Sequence, residues 1–151
     1  MVARAPRSIS SEIEIDAPIA VVWSVLRDFD SYPDWNPFTV SVKTTLEPGS
    51  PVDMQVKLRP PKAMHQVEYV SALVEGERVC WGGHVGPRWF INADRCQVLT
   101  DLGDGRTRYL TTDAFRGVGV WLMFLIVGRH VQRGFDDVAS ALKARAESRV
   151  R

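Results

Sequence analysis

The 151-residue chain is poor in cysteine and has almost no excess of charge of either sign. Its two cysteines, Cys80 and Cys96, are too few for a disulfide scaffold and lack the spacing of a metal site. We therefore expect buried, reduced thiols and no bound metal. Lys and Arg total 19 against 18 for Asp and Glu, which excludes a global field that attracts nucleic acid. No nucleotide-binding, serine-hydrolase or zinc-protease motif occurs, and we expect no cofactor.

Long hydrophobic runs are also missing. The longest apolar run lies between Gly119 and Gly128, far short of the ~20 residues that a bilayer-spanning helix needs, so we expect no stable membrane insertion. Arg4 and Arg7 are not followed by the apolar segment of a secretory signal, which predicts a cytoplasmic protein. With 45% hydrophobic and 25% charged residues, the composition predicts one domain over residues 1–151, with a core at about 8–147.

The N-terminal part of the chain combines a strand signal with helix signals. Apolar and polar residues alternate strictly from Ile9 to Asp16, which predicts a first strand with one dry face. Asp16 is then the expected N-cap, with Pro18 in the first turn, of a helix that runs to about Arg27. The prolines that follow permit only a short helix around residues 31–35.

The rest of the chain predicts some six further strands and one long helix. The strands are expected at residues 38–42, 52–58, 64–74, 78–85, 89–101 and 106–116. Helical periodicity from Val120 to Glu147 predicts a terminal helix of roughly 40 Å, the one element long enough to cover the dry face of a sheet. This order predicts an α+β domain with a mostly antiparallel sheet.

Several segments resemble, in the same order, the START-like (SRPBCC) superfamily of helix-grip proteins. They are DAPIAVVWSVLRDFDSYPDWNPF, ERVCWGG, LGDGRTRY and the terminal helix. Within the superfamily, the chain looks most like the polyketide cyclase/dehydrase branch, which is related to Bet v 1. The resemblance implies a curved seven-stranded antiparallel sheet wrapped around the C-terminal helix, two short helices after strand 1 and an internal hydrophobic cavity.

The same resemblance implies a function. Family members mostly bind small hydrophobic molecules, so we expect a lipid- or polyketide-like ligand in the cavity. Two alternatives remain: a polyketide-type cyclase or dehydratase that uses polar cavity residues, and a lipid carrier that acts at a membrane surface. Fold alone does not decide among them.

Candidate ligand contacts come from the apolar faces of the strands and the long helix. They are Met54, Leu58, Trp81, Tyr109, Thr111, Phe115, Phe124, Val127 and Val131. We expect Tyr32, Trp35 and Phe38 to rim the cavity mouth, although this cluster could equally form a rigid corner plug.

The hairpin around Gly103-Asp104-Gly105 carries the best polar candidates. A three-residue loop pairs Arg95 with Asp113, Gln97 with Thr111 and Leu99 with Tyr109, all on one face. The family pattern points that face inward, which predicts an Arg95/Asp113 ion pair in the cavity and makes Arg95, Asp113 and Tyr109 the catalytic candidates of the enzyme alternative. A two-residue turn instead sends Arg95 to solvent. Both registers remain open.

The start of the long helix has apolar residues on the face that is polar further along. Trp121, Leu122 and Leu125 have no core to enter there. Three interpretations fit: the first turns are irregular and fold inward over the cavity, a second subunit covers them in a homodimer, or they touch a membrane during ligand exchange.

Overall fold

The structure is a computed structural model that describes residues 7–151, so the predicted domain residues before Arg7, including Arg4, lie outside the described range. The elements are β1 (Arg7–Ile15), α1 (Ile19–Arg27), a 3-10 turn (Phe29–Ser31), α2 (Tyr32–Trp35), β2 (Thr39–Lys43), β3 (Pro51–Arg59), β4 (Lys62–Val74), β5 (Arg78–Val85), β6 (Ile91–Gly103), β7 (Arg106–Arg116) and α3 (Val120–Ser148). The predicted strands and the long helix are confirmed, with small shifts at their ends.

The seven strands form one antiparallel sheet in the order β1-β7-β6-β5-β4-β3-β2. Successive strands from β2 to β7 are neighbours joined by turns, while α1 and α2 connect the edge strand β1 to the opposite edge strand β2. The concave face packs on α3, because alternation leaves one dry face on each strand and α3 supplies a matching apolar stripe. The predicted helix-grip architecture is confirmed.

Helix α1 begins later than predicted. Pro18, in extended backbone conformation, is the N-cap, and Asp16 makes no cap. Instead the backbone N–H of Asp16 donates to Oε1 of Glu147, and Thr107 donates its hydroxyl proton to the carbonyl of Ala17. These two bonds hold the chain extended until Pro18, which explains the shift.

Helix α3 has two different halves. Phe135, Val138 and Leu142 are buried in its C-terminal half, whereas Trp121 and Leu125 are 53% and 75% exposed in its first turns. The helix is regular from Val120 onward, so the prediction of an irregular start that folds inward is wrong. The start is anchored instead, since the N–H of Gly119 donates to the carbonyl of Phe90 and Met123 donates to Gly119. Among residues 7–151, no helix combines the length and apolar character needed to cross a bilayer.

Cys80 and Cys96 form a disulfide, so the prediction of reduced thiols is wrong. They are direct partners of the β5–β6 ladder, with Cα atoms 4.1 Å apart, close to the spacing of a non-hydrogen-bonded antiparallel pair. Their side chains alternate with those of Trp81 and Arg95 and therefore lie on the opposite face of the sheet. Spacing along the chain does not reveal this pairing because strand register creates it.

Candidate functional site

A cavity of about 510 Å³ lies between the N-terminal half of α3 and the concave face of the sheet. Among the predicted ligand contacts, six line it: Met54, Leu58, Trp81, Phe115, Val127 and Val131. They come from three strands and one helix, because the curvature of the sheet brings separate dry faces around the helix. The walls are mostly apolar and can hold a small hydrophobic molecule.

The other three predicted contacts do not line the cavity. Tyr109 is fully buried, and its hydroxyl donates to Oε1 of Gln97 at 2.7 Å. Burial raises the pKa of Tyr109, which keeps this phenol protonated. Thr111 is also fully buried and lies behind Arg95. Phe124 packs edge-to-face on Phe115 with ring centroids 5.6 Å apart and borders a separate surface groove.

The predicted mouth is only partly correct. Phe38 lines the cavity, and it can pack against α3 because Gly134 has no side chain: a Cβ there would lie 2.2 Å from the Phe38 ring. Tyr32 is buried with its hydroxyl donating to the carbonyl of Leu26, and Trp35 packs edge-to-face on it at 5.1 Å. These two residues do not line the cavity and form the corner plug that was the alternative interpretation of this cluster, next to α1.

The open side of the cavity lies instead at the β4–β5 side of the sheet. Met64, Val67 and Val85 line it and are each about half exposed. Two histidines also lie here, and both are exposed: His65 is 2.9 Å from Oδ1 of Asp53, and His84 is hydrogen-bonded within its own loop. The sequence predicted the cavity mouth at the aromatic cluster after α1, which is a different side of the cavity.

The β6–β7 hairpin combines features of both registers considered above. Its turn has two residues, Asp104 and Gly105, both with positive φ as a type I′ turn requires. A bulge between Asp101 and Gly103 then shifts the register by one residue. Arg95 consequently pairs with Asp113, Gln97 with Thr111 and Leu99 with Tyr109. The register that turns Arg95 inward is confirmed, although the three-residue loop assumed for it is wrong.

Arg95 is only 7% exposed and lines the cavity. Its Nε donates to Oγ1 of Thr111 at 3.1 Å, and its guanidinium carbon lies 4.4 Å from the centroid of the Phe135 ring. The predicted Arg95/Asp113 ion pair is wrong, since no salt bridge of Arg95 occurs within residues 7–151. The contacts with Thr111 and Phe135 orient the guanidinium group so that it forms no ion pair with Asp113.

Asp113 also lines the cavity but lacks the partner that the sequence predicts for it. Its Oδ1 is buried, and within residues 7–151 this oxygen has no hydrogen bond. Burial raises the pKa of Asp113 to about 7, while the charge of Arg95 opposes the rise and that of Asp94 adds to it. Asp113 can therefore hold or release a proton near neutral pH.

Glu68 is a cavity residue that the sequence analysis missed. It lies on β4 opposite Gly83, where a Cβ would come within 3.1 Å of Cγ of Glu68, so the glycine leaves room for this carboxyl. Burial raises the pKa of Glu68 to about 8, with the charge of Asp113 adding to the rise and Arg95 opposing it. Val52 is buried and pairs with Glu68 across β3–β4, so both side chains lie on the inner face of the sheet. The register of this strand pair is the signal that could have identified Glu68 as a cavity residue.

A family model described as polyketide cyclase/dehydrase and lipid transport matches residues 6–147. A search of curated proteins found no match. Among solved structures, the chain is similar to the Zhui aromatase/cyclase from Streptomyces sp. R1128. The two are 20% identical, the alignment covers 97% of each chain, and the TM-score is 0.74.

Two further solved structures share the architecture. A START superfamily protein from Mycobacterium smegmatis is 18% identical, with 95% of this chain and 99% of that chain covered and a TM-score of 0.71. Norcoclaurine synthase from Thalictrum flavum is 12% identical over 100% of both chains, with a TM-score of 0.73. At these identities the likeness shows a common fold and leaves the chemistry of each cavity to its own residues.

Proposed function

Because this chain belongs to the polyketide cyclase/dehydrase and lipid-transport family of the START/Bet v 1 superfamily, we propose that it binds a small hydrophobic molecule between α3 and the sheet. The cavity itself is the observation that supports the proposal. Its volume of about 510 Å³ lies within the range of small-molecule sites, and side chains such as Met54, Trp81 and Val131 give it apolar walls.

The first test is whether the purified protein carries or takes up such a molecule. Native mass spectrometry of protein from its own host, followed by organic extraction, would identify a bound lipid or polyketide at near one per chain. Uptake of a fluorescent hydrophobic probe would test the empty protein. Val127→Phe, which fills the cavity from α3, should abolish uptake, whereas Ile126→Phe on the neighbouring exposed position should not. Equal uptake by both variants would contradict the cavity as the binding site.

A cyclase or dehydratase is the second candidate, because Arg95 and Asp113 both line the cavity. In an aldol-type cyclisation, the Asp113 carboxylate would take a proton from a carbon next to a carbonyl, and Arg95 would donate hydrogen bonds to the enolate oxygen. Tyr109 would act only indirectly, since its hydroxyl is bonded to Gln97. Asp113→Asn should then stop turnover of a poly-β-ketone substrate while preserving its uptake. Unchanged turnover would remove this candidate.

The exposed start of α3 supports two further proposals that one pair of measurements separates. Trp121, Leu122 and Leu125 are 53%, 39% and 75% exposed and form an apolar surface that a second copy of the chain or a membrane would cover. Sedimentation velocity would show a homodimer that Leu125→Ser dissociates. Co-sedimentation with vesicles would instead support a lipid carrier at a membrane surface. A protein that is monomeric and does not bind vesicles would contradict both the homodimer and the lipid carrier.

The cytoplasmic location expected from the sequence stays a proposal that the Cys80–Cys96 disulfide makes testable. Thiols in the cytosol are normally kept reduced, so persistent disulfides are uncommon there. Quenching intact cells with acid and then labelling with a maleimide under denaturing conditions should modify both cysteines if the protein is cytoplasmic, because unfolding exposes the thiols of buried Cys80 and half-buried Cys96. A fully protected disulfide would argue for a more oxidising compartment.

A further inference from the structure

Three ionisable side chains come together on the inner wall of the cavity, and we call Glu68, Arg95 and Asp113 the charged cluster. Arg95 on β6 is the direct neighbour of Asp113 on β7. Glu68 reaches the same region from β4 across Gly83, which has no side chain to separate them. The cluster therefore sits on the sheet side of an otherwise apolar space, facing α3.

The charged cluster has more hydrogen-bonding capacity than the described protein uses. Within residues 7–151, Arg95 makes a single hydrogen bond, from Nε to Thr111, and Oδ1 of Asp113 makes none. The hydroxyl of Thr39, a residue 2% exposed on the cavity wall, also has no partner among the described residues. Buried polar groups normally have partners, so these atoms point to a ligand that has a polar end.

The charge of the cluster is close to balanced. Burial raises the pKa of Glu68 to about 8 and that of Asp113 to about 7, and each carboxyl disfavours ionisation of the other. Near neutral pH this pair therefore tends to keep a proton, and the remaining carboxylate balances Arg95. The other titratable lining groups, His65 and His84, are exposed at the open side and lie outside the cluster.

We infer that the cavity selects hydrophobic molecules whose polar end is an uncharged oxygen-bearing group, a carbonyl or a hydroxyl, over carboxylates and ammonium ions. The inference rests on the ligand binding proposed above. A carbonyl oxygen can accept from Arg95 or from the protonated carboxyl, and a hydroxyl can also donate to Asp113. A carboxylate head group would force the two carboxyls to bind a second proton, and an ammonium would force them to release the proton they keep, or else the head group would leave an uncompensated charge in a poorly solvated space.

The test compares unbranched ligands that each contain ten carbon atoms and differ in the polar group. Decanol, 2-decanone, decanoate and decylammonium would compete with a bound fluorescent hydrophobic probe at neutral pH, each below its micelle concentration. We expect the alcohol and the ketone to bind at least about tenfold more tightly than either ion.

Two isosteric changes test whether the carboxyls set this preference. The double variant Glu68→Gln with Asp113→Asn leaves Arg95 as the one charge of the cluster, so decanoate should gain at least about tenfold relative to decanol. Glu12→Gln, the same chemical change on the exposed edge strand β1, is the matched control and should keep the wild-type order. Circular dichroism and probe uptake confirm that each variant is folded.

The outcomes separate the inference from the proposed function. Equal affinities for the alcohol and both ions would overturn head-group selection while leaving hydrophobic ligand binding intact. A wild-type preference that the double variant retains would overturn the role of the two carboxyls. If neither the probe nor any of the four ligands binds, the proposed binding function fails, and the inference fails with it.

Discussion

The two ends of the space between α3 and the sheet share strands β6 and β7 and the same helix but differ in how they are filled. At the packed end, Leu99, Tyr109, Val138 and Leu142 are buried, and the phenol of Tyr109 is bonded to Gln97. At the cavity end, the charged cluster and Val127 surround open volume, and polar atoms lack partners among the described residues. The packed end can hold the fold while the cavity end is free to bind.

Removal of the disulfide should have the largest effect on stability and should act on the whole sheet. The Cys80–Cys96 bond joins β5 to β6, a strand that both ends share, and closes a loop with a sequence separation of 16. The double variant Cys80→Ser with Cys96→Ser should lose about 3 kcal/mol of unfolding free energy in urea denaturation. The affinity for the fluorescent probe should hardly change. A large loss of affinity with little loss of stability would contradict the expectation that the disulfide stabilises the whole sheet.

The same substitution on the two halves of α3 should give unequal effects. Val138→Ala at the packed end should lower the free energy of unfolding by about 2 kcal/mol, because this buried side chain leaves a void. Val127→Ala at the cavity end should cost less than about 1 kcal/mol, since its side chain already borders open volume. Chemical denaturation of both variants would measure the difference, and equal losses would contradict the distinction between the ends.

The pH dependence of stability between about pH 5 and about pH 9 should report mainly on the two carboxyls at the cavity end. The ordinary pKa values of Glu68 and Asp113 are 4.5 and 3.8, and burial raises them to about 8 and about 7 in the native state. At pH values between the ordinary and the raised pKa, the native state keeps protons that the unfolded chain has already released. The native state thus binds more protons in this window, so the free energy of unfolding should fall as pH rises through it and level off above about 8.

Urea denaturation at about pH 5 and about pH 9 would measure this fall. The double variant Glu68→Gln with Asp113→Asn should fall less, while Glu12→Gln should match the wild type. Asp28 and Glu147, whose pKa values are lowered by hydrogen bonds from Ser31 and Lys143, act in the opposite sense, with stability lost only below their ordinary values. A double variant with the wild-type slope would show that the two carboxyls are not the source.

The elements and their order could be predicted almost completely because their signals are local, whereas the curved sheet around the helix and its cavity were implied by the family resemblance. Period-two alternation marks the strands, short turns that contain glycine or proline join them, and the stripe from Val131 to Leu142 identifies the face of α3 that packs on the sheet. The elements that failed depend on distant partners. Pro18 replaces Asp16 as N-cap because Glu147, at the other end of the chain, accepts the hydrogen bond of the Asp16 N–H.

The site could be predicted only where its residues are apolar. Met54, Trp81 and Val131 follow the expected alternation and line the cavity. On β4, Glu68 lines the cavity while the neighbouring Tyr69 is 55% exposed, so a pattern argument assigns these two residues to the wrong faces. The disulfide and the cavity mouth require the register and curvature of the finished sheet.

The bulge between Asp101 and Gly103 also shows how this gene can vary. Leu102 is the extra residue of the bulge, so deletion of its single codon would leave a regular ladder with Asp101 opposite Thr107 and Arg95 still opposite Asp113. Loss of one residue here therefore removes the bulge without turning either strand over. Lineages that keep the polar wall can accordingly be one residue shorter in this hairpin, and those shorter hairpins should lack the bulge.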